Sequence, residues 1–392
     1  MRICLVGPCS PQDLSRYLED FNPQEFGKVT FYRGLPVSSL AIYLLQSGHS
    51  VEVITSAFGI EEDVLILKGP NLVISVIRST DSTKRRALTL FRSDRQKLSE
   101  EIKKSGADIY HAHWTYEFAL AALSCRTNVL VTAHDAPLKI LFHYRDAYRF
   151  LRFMMSVLVR IRTNHLSAVS PYLARNWRKQ MWWRKQILIL PNFTPIEMLE
   201  TRNQNSRDEK IVLCISDSSR LKNVKTLVQA WKIVRVTFPE ATLKLVGYGL
   251  GRGEEIYQWA KLNQLEVGID WIGYVERSTI VDELNQASIV CHPSLEESHS
   301  LVLVESLARG LPIIGGIHSG AVPWTLGDAG LLVDVKLDSE IASAILKLLG
   351  STELRTELSN LARLRSTRMF NAERILPLYL HAYTNIIDDR KS

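Results

Sequence analysis

The amino-acid sequence predicts an α/β protein of two doubly wound domains, each a parallel sheet covered by helices. Its 392 residues are more than one core usually holds and suggest two domains. Short β-branched or apolar runs alternate with longer helix-periodic segments, which is typical of parallel sheets. The polar segment 200–209 lacks apolar periodicity and divides this pattern into two series. The composition, 46% apolar and 23% charged, excludes disorder, collagen and coiled coil.

The first domain is predicted over residues 1–199, and a linker over 200–209 separates it from a second domain over 210–370. In the first domain, strands are expected at residues 2–6, 51–55, 72–78, 108–112, 128–132, 166–170 and 186–190, with helices in most gaps. In the second, strands are expected at 211–215, 242–246, 269–272, 288–292 and 312–315, and helices at 223–237 and 301–309. The last segment, 371–392, has apolar residues at helical spacing and is predicted to be a helix with a frayed tail.

Neither a spanning helix nor a disulfide framework is predicted. Arg152 and Arg160 interrupt the most hydrophobic region, which falls short of the ~18 apolar residues that a spanning helix needs. Only four apolar residues lie between Arg2 and the Gly7-Pro8 break, too few for a secretion signal. The five cysteines are scattered and contain no C-x-x-C pair. We expect a cytoplasmic protein with reduced cysteines.

The net charge of +7 belongs to the first half of the chain, where 26 Lys and Arg face 18 Asp and Glu. Residues 147–196 contain nine cations and no acidic residue. Cations and tryptophans alternate closely in one segment: Arg175, Trp177, Arg178, Lys179, Trp182, Trp183, Arg184 and Lys185. Cations bind anionic headgroups and indoles sit at the interface, so a peripheral membrane contact is predicted, with a solvated face as the alternative. Nucleic acid is not expected, because no recognised binding module accompanies the segment.

The richest candidate site follows the strand predicted to end at His292. A short polar loop comes next, and a helix is expected to begin near Ser300. The free amides of a helix N-terminus bind anions such as a diphosphate. Glu297 lies in the loop and Glu305 inside the helix, so two carboxylates can accept hydrogen bonds from one ligand. Ligands of open α/β sheets bind at such carboxyl ends.

These residues resemble the donor-site signature of the retaining glycosyltransferases of family 4, which have the GT-B fold. The signature comprises Pro293-Ser294-x-x-Glu297, then seven residues, then Glu305-Ser306-x-Ala308-x-Gly310-x-Pro312. Further matching segments occur in order along nearly the whole chain, at 108–114, 131–135, 168–173, 190–192, 222–227, 245–249 and 319–323. The resemblance implies two Rossmann-like domains facing a cleft, with the C-terminal helix returning to the N-terminal domain.

The resemblance also implies roles for individual residues. Glu297 would contact the donor sugar, Glu305 the ribose and Lys222 the departing diphosphate, while His134 would lie near the transferring sugar. Glu297, Lys222 and His134 would be the catalytic residues. Because the family is a retaining one, the resemblance also implies retention of the anomeric configuration. Helix amides and Lys222 would stabilise the leaving group in place of a metal, so neither metal nor cofactor is expected. Further donor contacts are expected from Arg220, Gly247, Ser298, His299, Ser300, Leu301 and Val302.

Three positions depart from the family pattern. Ser298-His299-Ser300 replaces Gly-Phe-Gly, which makes the donor loop bulkier. Asp217 stands where the family has an arginine on the phosphates; either Arg220 replaces that arginine and Asp217 orients Arg220 or Lys222, or the donor site is weakened. Of the acceptor loop's Gly-Gly only Gly34 remains. Glu296, the residue before Glu297, is the alternative candidate for the carboxylate that contacts the donor sugar.

The expected function is transfer of a sugar from a nucleotide sugar to a glycan or lipid-linked acceptor by a hexosyltransferase-type enzyme. A nucleotide-sugar epimerase of the same fold, and a nucleotide-sugar-binding protein without transfer activity, remain alternatives. His111 and His113 are assigned to structural or cleft-lining roles, because H-x-H on a strand has no third metal ligand nearby. Gly247 and Gly249 are expected in a tight turn near the nucleotide.

Overall fold

A computed structural model describes residues 1–19, 21–27, 29–79, 83–199 and 210–389. The chain forms two compact units. The first comprises Met1–Phe193 and Ala372–Ser392, and the second comprises Thr194–Asn371. The predicted linker, 200–209, lies outside the described residues, and the chain changes unit a few residues before it.

The first unit is built on one mixed sheet in the order β4-β5-β3-β1-β6-β7-β8-β9, with β2 paired to β3. Its strands are β1 Arg2–Val6, β2 Thr30–Phe31, β3 Ser50–Phe58, β4 Val64–Gly69, β5 Leu72–Arg78, β6 Ile109–His113, β7 Val129–Ala133, β8 His165–Ala168 and β9 Ile187–Ile189. All pairings are parallel except β2 with β3 and β4 with β5. The central strands are buried along their length, since helices cover both faces of a parallel sheet.

The helices of the first unit fill the crossovers between strands. They are α1 Leu35–Gln46, α2 Thr83–Leu88, α3 Arg92–Lys104, α4 Glu117–Cys125, α5 Pro137–Tyr144, α6 Ala147–Arg162 and α7 Pro171–Gln180. Asp146 and Ser170 cap α6 and α7 by accepting hydrogen bonds from backbone amides in their first turns. Proline occupies the first turn of α5 and α7, where its missing N–H costs no helical hydrogen bond.

The last helix, α15 (Ala372–Asp389), belongs to the first unit although its sequence follows the second. Tyr379 and Tyr383 on this helix are fully buried. The Tyr379 ring stacks on Phe193 at 5.3 Å, and the Tyr383 hydroxyl is 2.8 Å from His111 Nδ1. The helix therefore closes one face of the first unit's core.

The second unit has an all-parallel sheet in the order β12-β11-β10-β13-β14-β15. Its strands are β10 Ile211–Ile215, β11 Thr242–Val246, β12 Ile269–Gly273, β13 Ile289–His292, β14 Ile313–Gly316 and β15 Gly330–Val333. Its helices are α8 Val224–Thr237, α9 Glu255–Leu262, α10 Arg277–Gln286, α11 Leu301–Ala308, α12 Val322–Leu326, α13 Asp338–Gly350 and α14 Thr352–Met369. β10 and β13 are adjacent at the point where the strand order reverses, which is the usual ligand position of such sheets.

The predicted α/β class, the two Rossmann-like sheets and each predicted strand are confirmed. Three strands were missed. β4 is an antiparallel edge strand, and β2 and β15 have two and four residues, so each is too short or too irregularly buried to give a strong period-two signal.

Candidate functional site

The loops that follow β10 and β13 bring Lys222 and Glu297 together in the second unit. Because these strands are parallel neighbours, their carboxyl ends lie at the same edge of the sheet. Lys222 ends a 3-10 turn, Arg220–Lys222, and Glu297 lies in the loop before α11. The Lys222 ammonium donates to Glu297 Oε1 at 2.6 Å. Glu297 is therefore a carboxylate that faces the lysine.

Glu297 is held in its charged form. Burial alone would raise its pKa, but Lys222 and His292 outweigh burial and hold the pKa of this carboxyl well below its usual value. His292, the last residue of β13, places Nε2 3.1 Å from the same Oε1. An ionised carboxylate at this position can accept hydrogen bonds from sugar hydroxyls, and it cannot act as a proton donor at neutral pH.

The loop Ser298-His299-Ser300 leads directly into α11. Ser300 is the N-cap residue and Leu301 and Val302 open the helix, so their amides are available to an anion. His299 packs its ring 5.4 Å from Trp324 and 5.2 Å from Phe370. Burial lowers the pKa of His299 to about 3, so its ring is neutral. The extra bulk that the sequence places in this loop thus packs inward.

Glu305 is a buried carboxylate with a cationic partner. It is 2% exposed, and Arg277 Nη2 lies 2.7 Å from its Oε1. Arg277 also donates from Nε to Glu197 at 2.8 Å and thereby bridges two carboxylates. Burial raises the pKa of Glu305, Arg277 opposes this rise and Glu197 adds to it. Arg277 begins α10, and no motif in the sequence singles it out.

Gly247 lies where the loops after β10 and β11 approach each other. Its φ is 130°, and a Cβ at this residue would lie 1.6 Å from the Ser216 carbonyl oxygen. Only glycine fits this position. Gly249 also has a positive φ, 77°, as expected for a tight turn.

Asp217 stabilises the backbone of its own loop. Its carboxylate accepts a hydrogen bond from the Ser219 amide at 2.8 Å. The hypothesis that Asp217 orients Arg220 or Lys222 stays a prediction: the hydrogen bond that Asp217 makes in this structure is with the Ser219 amide, and Lys222 pairs with Glu297. Arg220 is exposed beside this turn.

In the first unit, His134 follows β7 and lies among neutral rings. Its Nε2 is 3.0 Å from His113 Nδ1, and its ring stacks on Trp114 with centroids 4.1 Å apart. Burial lowers the pKa of His113 to about 3, so His113 is neutral. His111 bonds Thr132 at 2.6 Å and takes the structural role expected of it. Two rings therefore orient His134.

Gly34 caps the N-terminus of α1. A Cβ at this residue would lie 1.8 Å from the Pro8 carbonyl oxygen. The loop after β1 thus passes directly over the start of α1. A side chain at this position would push the two segments apart.

The predicted membrane patch needs a correction. Trp177 is fully buried and Trp183 is 5% exposed, and their indole nitrogens donate to the carbonyl oxygens of Asp135 and Gln186. Trp177 lies on the apolar face of α7, so it packs in the core. Trp182 alone of the three is exposed, at 73%. The five cations of the segment, Arg175, Arg178, Lys179, Arg184 and Lys185, are exposed.

Sequence reasoning missed three contributors to these sites. Arg277 is distant in sequence from Glu305, and a single chain gives no signal for the pair. His292 was placed only as a strand end, although its position immediately before the loop of Glu297 was a usable signal. Trp114 directly follows His113 at the end of β6, and its contact with His134 depends on the pairing of β6 with β7.

Sequence models of two protein families match this chain in succession. The family described as Glycosyltransferase Family 4 matches residues 37–197, and the family described as Glycosyl transferases group 1 matches residues 197–365. The N-acetyl-alpha-D-glucosaminyl L-malate synthase of Bacillus anthracis is 26% identical over 312 residues, which cover 76% of this chain and 79% of that protein.

Solved structures share the fold over nearly the whole chain. The sucrose-phosphate synthase of Thermosynechococcus elongatus superposes with a TM-score of 0.79 at 20% identity, covering 99% of this chain and 100% of that one. Anabaena HepE, solved in complex with UDP and glucose, gives a TM-score of 0.69 at 17% identity, covering 98% of this chain and 100% of that one.

Proposed function

The chain belongs to the group 1 glycosyltransferases of family 4, and from this premise we propose that it transfers a hexosyl group from a nucleoside diphosphate sugar to a glycan or lipid-linked acceptor. The enzyme is a hexosyltransferase, as its named relatives are. The nucleotide-sugar donor is supported by HepE, which was solved with UDP and glucose.

The pairing of Lys222 with Glu297, next to the N-terminus of α11, carries this proposal. A nucleoside diphosphate leaves with negative charge developing on its terminal phosphate. An ammonium group and the free amides at the start of a helix stabilise such charge. The charged Glu297, 2.6 Å from Lys222, can hold the lysine in place while accepting hydrogen bonds from the donor sugar. Two neighbouring loops and the start of α11 thus supply groups for both halves of the donor.

We propose that transfer retains the anomeric configuration and needs no metal. The bond between the anomeric carbon and the diphosphate oxygen breaks, and its electron pair leaves with the phosphate. The acceptor hydroxyl attacks the same face of the sugar, and its proton passes to the departing phosphate oxygen. Lys222 and the amides of Leu301 and Val302 supply the positive charge that a divalent cation supplies in other transferases. His134, oriented by His113 and Trp114, would lie near the transferring sugar.

A peripheral contact with an anionic membrane fits the corrected surface of the first unit. Trp182 and the cations around it are exposed, and Arg160 on α6 donates to the Trp182 carbonyl oxygen at 3.0 Å. α6 adds exposed apolar side chains at Phe150, Met154 and Ile161. Apolar groups flanked by cations favour an anionic bilayer surface. Within the described part of the chain, no helix combines the length and apolar content needed to cross a bilayer.

Donor choice and reaction type can be tested together. Thermal shifts would first be measured with UDP-, GDP- and ADP-sugars, since a ligand at 100 times its Kd stabilises the fold by about 2.7 kcal/mol. The stabilising donor is then incubated alone and with candidate acceptors, with and without EDTA. Transfer that requires acceptor and survives EDTA is expected. Conversion of the donor without acceptor would indicate an epimerase, and binding of the donor without conversion would indicate a binding protein. If EDTA abolished the activity and magnesium restored it, metal independence would be overturned.

The membrane contact has a separate test. We expect co-sedimentation with vesicles of phosphatidylcholine and phosphatidylglycerol, weakened by salt because exposed charges are screened over ~8 Å at physiological ionic strength. The double variant Trp182→Ala/Ile161→Ser should bind less. Equal binding to pure phosphatidylcholine would contradict the proposal.

A further inference from the structure

The first unit contains a cavity of about 310 Å³. Its lining includes none of the site residues that were predicted from the sequence. It opens between the loop after β6, the loop after β7 and helices α5 and α6. Its volume falls within the range of about 300–1,000 Å³ that is typical of small-molecule sites. The lining residues that matter here are Tyr32, Trp114, Tyr116, Asp135, Tyr148 and Arg152. We call this cavity the Trp114 pocket.

Aromatic rings form much of the pocket wall. The five aromatic lining residues are Tyr32, Trp114, Tyr116, Phe118 and Tyr148. Trp114 is partly exposed, so the indole has surface available to a ligand. The apolar C–H face of a sugar ring packs well on such flat surfaces, because both are rigid and hydrophobic there. A wall of this kind suits a cyclic polyol better than a flexible chain.

The polar groups of the pocket are preorganised but not saturated. The Asp135 carboxylate accepts from the Tyr116 hydroxyl at 2.9 Å. The Arg152 guanidinium lies 3.6 Å from the centroid of the Tyr116 ring. Its Nη1 lies 3.4 Å from a Glu117 carboxylate oxygen and 3.3 Å from the Tyr148 hydroxyl. These are longer than the 2.7–2.9 Å of a strong charge-assisted bond, so Arg152 can still donate to a ligand.

Charge in the pocket is balanced. Two residues with carboxylates, Glu117 and Asp135, and two with guanidinium groups, Arg149 and Arg152, line it. Arg149 is further compensated by Asp146, whose Oδ2 lies 2.9 Å from its Nη1. An anionic ligand would find no excess of positive charge to offset its desolvation. A neutral ligand with many hydroxyls can use acceptors and donors alike.

The backbone at Trp114 adds an independent observation. Its φ is 62°, in the left-handed region that a bulky residue rarely adopts. Strain of this kind concentrates where it positions a ligand or catalytic group. At Trp114 this backbone conformation places a single indole in two roles. The ring stacks on His134, with centroids 4.1 Å apart, and the same residue lines the pocket. The pocket thus adjoins the proposed catalytic histidine within a single unit.

We propose that the Trp114 pocket is a binding subsite for a neutral saccharide ring, with Trp114 as the stacking surface and Asp135 and Arg152 as the hydroxyl ligands. Its assignment to the acceptor rests on the proposed transferase function. The subsite itself does not, because saccharide binding can be measured without donor and without turnover. Neutral pyranosides are expected to bind better than charged ones.

The test uses the full chain and three probes: methyl α-D-glucopyranoside, methyl α-D-mannopyranoside and methyl β-D-glucuronide. Binding is followed by saturation-transfer NMR and calorimetry without nucleotide. At least one neutral probe should bind, and Trp114→Ala and Arg152→Met should each weaken it tenfold or more. The matched controls are Trp259→Ala in the second unit and Arg126→Met, whose guanidinium stacks on Tyr110 at 4.9 Å in the first. Both should bind as wild type does.

Several results would overturn the subsite. One is equal binding of the neutral probe by wild type and Trp114→Ala; another is tighter binding of the glucuronide than of either neutral probe. If Arg152→Met fails to fold, Tyr148→Phe replaces it, since loss of that hydroxyl frees the Arg152 donor and should change affinity without removing a buried charge. UDP affinity is measured in parallel and should be the same in every variant. Saccharide binding in a chain that transfers no sugar would refute the proposed function and leave the subsite intact.

Discussion

The candidate site of the second unit is built from paired charges, whereas that of the first is built from neutral rings and balanced charge. Glu297 and Lys222 are both ionised at 2.6 Å, while His113 beside His134 is neutral. The difference matches the ligands proposed for each. A departing diphosphate needs fixed charge, but a hydroxylic acceptor needs a complementary shape and hydrogen-bonding groups. Substitutions at four residues can break or sharpen this comparison, and they are taken from the largest expected effect to the smallest.

Glu297→Gln should lower kcat by a factor on the order of 10²–10³, the usual cost of removing one preorganised electrostatic group. Affinity for the nucleoside diphosphate should stay the same or rise, because Lys222 loses its competing partner. Steady-state kinetics and calorimetry separate the two quantities. The matched control is Glu283→Gln, which breaks a comparable pair with Lys244, at 2.8 Å, elsewhere in the same unit. Equal kcat in wild type and Glu297→Gln would remove Glu297 from the chemistry.

Arg277→Met should destabilise the second unit by about 2–3 kcal/mol, because it leaves the Glu305 carboxylate buried without its cation. This destabilisation is smaller than that expected for a fully buried pair, because the Arg277 side chain is 31% exposed. The double variant Arg277→Met/Glu305→Leu should recover most of the loss. Denaturant unfolding of all three chains measures this coupling. Additive effects of the two substitutions would show that the pair is not coupled.

The stability of the first unit should vary with pH because of Asp135. Burial raises the pKa of Asp135 to about 6, although Arg152 and the Tyr116 hydroxyl oppose it. Between about pH 4 and pH 6 the folded chain binds this proton and the unfolded chain does not, so the group's contribution to stability falls as pH rises. Between pH 4.5 and pH 7.5, the free energy of unfolding of Asp135→Asn should rise by about 2 kcal/mol relative to that of wild type. Asp146→Asn is the control carboxylate. A constant difference between Asp135→Asn and wild type would contradict the raised pKa.

Asp217→Asn should change UDP affinity less than about twofold, because an asparagine side chain can accept the same Ser219 amide hydrogen bond. Asp217→Arg should not tighten binding, since it removes this hydrogen bond from the loop. Calorimetry with UDP measures both variants. Tighter binding by Asp217→Arg would mean that the acid weakens the donor site, as one of the two sequence-based hypotheses holds.

The sequence predicted most of the sheet and part of the second unit's site. Glu297 was singled out because it lies in a polar loop directly after a strand, whereas Lys222 was named only through the resemblance to the family-4 glycosyltransferases; the structure places them together because their strands are parallel neighbours. The Arg277 contact with Glu305 was not found, since it depends on where the first residue of α10 lies relative to α11 in the fold. Periodicity can show that a helix has an apolar face, but it does not show which residue of another helix that face meets.

Trp177 shows how a local composition can mislead. Five cations and three tryptophans in eleven residues suggested a surface, yet Leu173, Ala174 and Trp177 recur at helical spacing and form the buried face of α7. That signal was present in the sequence. The burial of Trp183 was not predictable from periodicity, because it lies beyond the helix. The Trp114 pocket was likewise not predictable from the sequence, since its lining residues come from five separate segments of the chain.

The return of α15 to the first unit affects how the protein is made. Tyr379 and Tyr383 complete that unit's core, yet a ribosome adds them almost two hundred residues after Phe193. The second unit is one uninterrupted stretch of chain and can fold as soon as it emerges. At roughly 5–20 residues per second, the first unit would wait about 10–40 s for its last helix. During synthesis the N-terminal half is therefore the later of the two to mature, and the surface that Tyr379 covers is exposed to chaperones in the meantime.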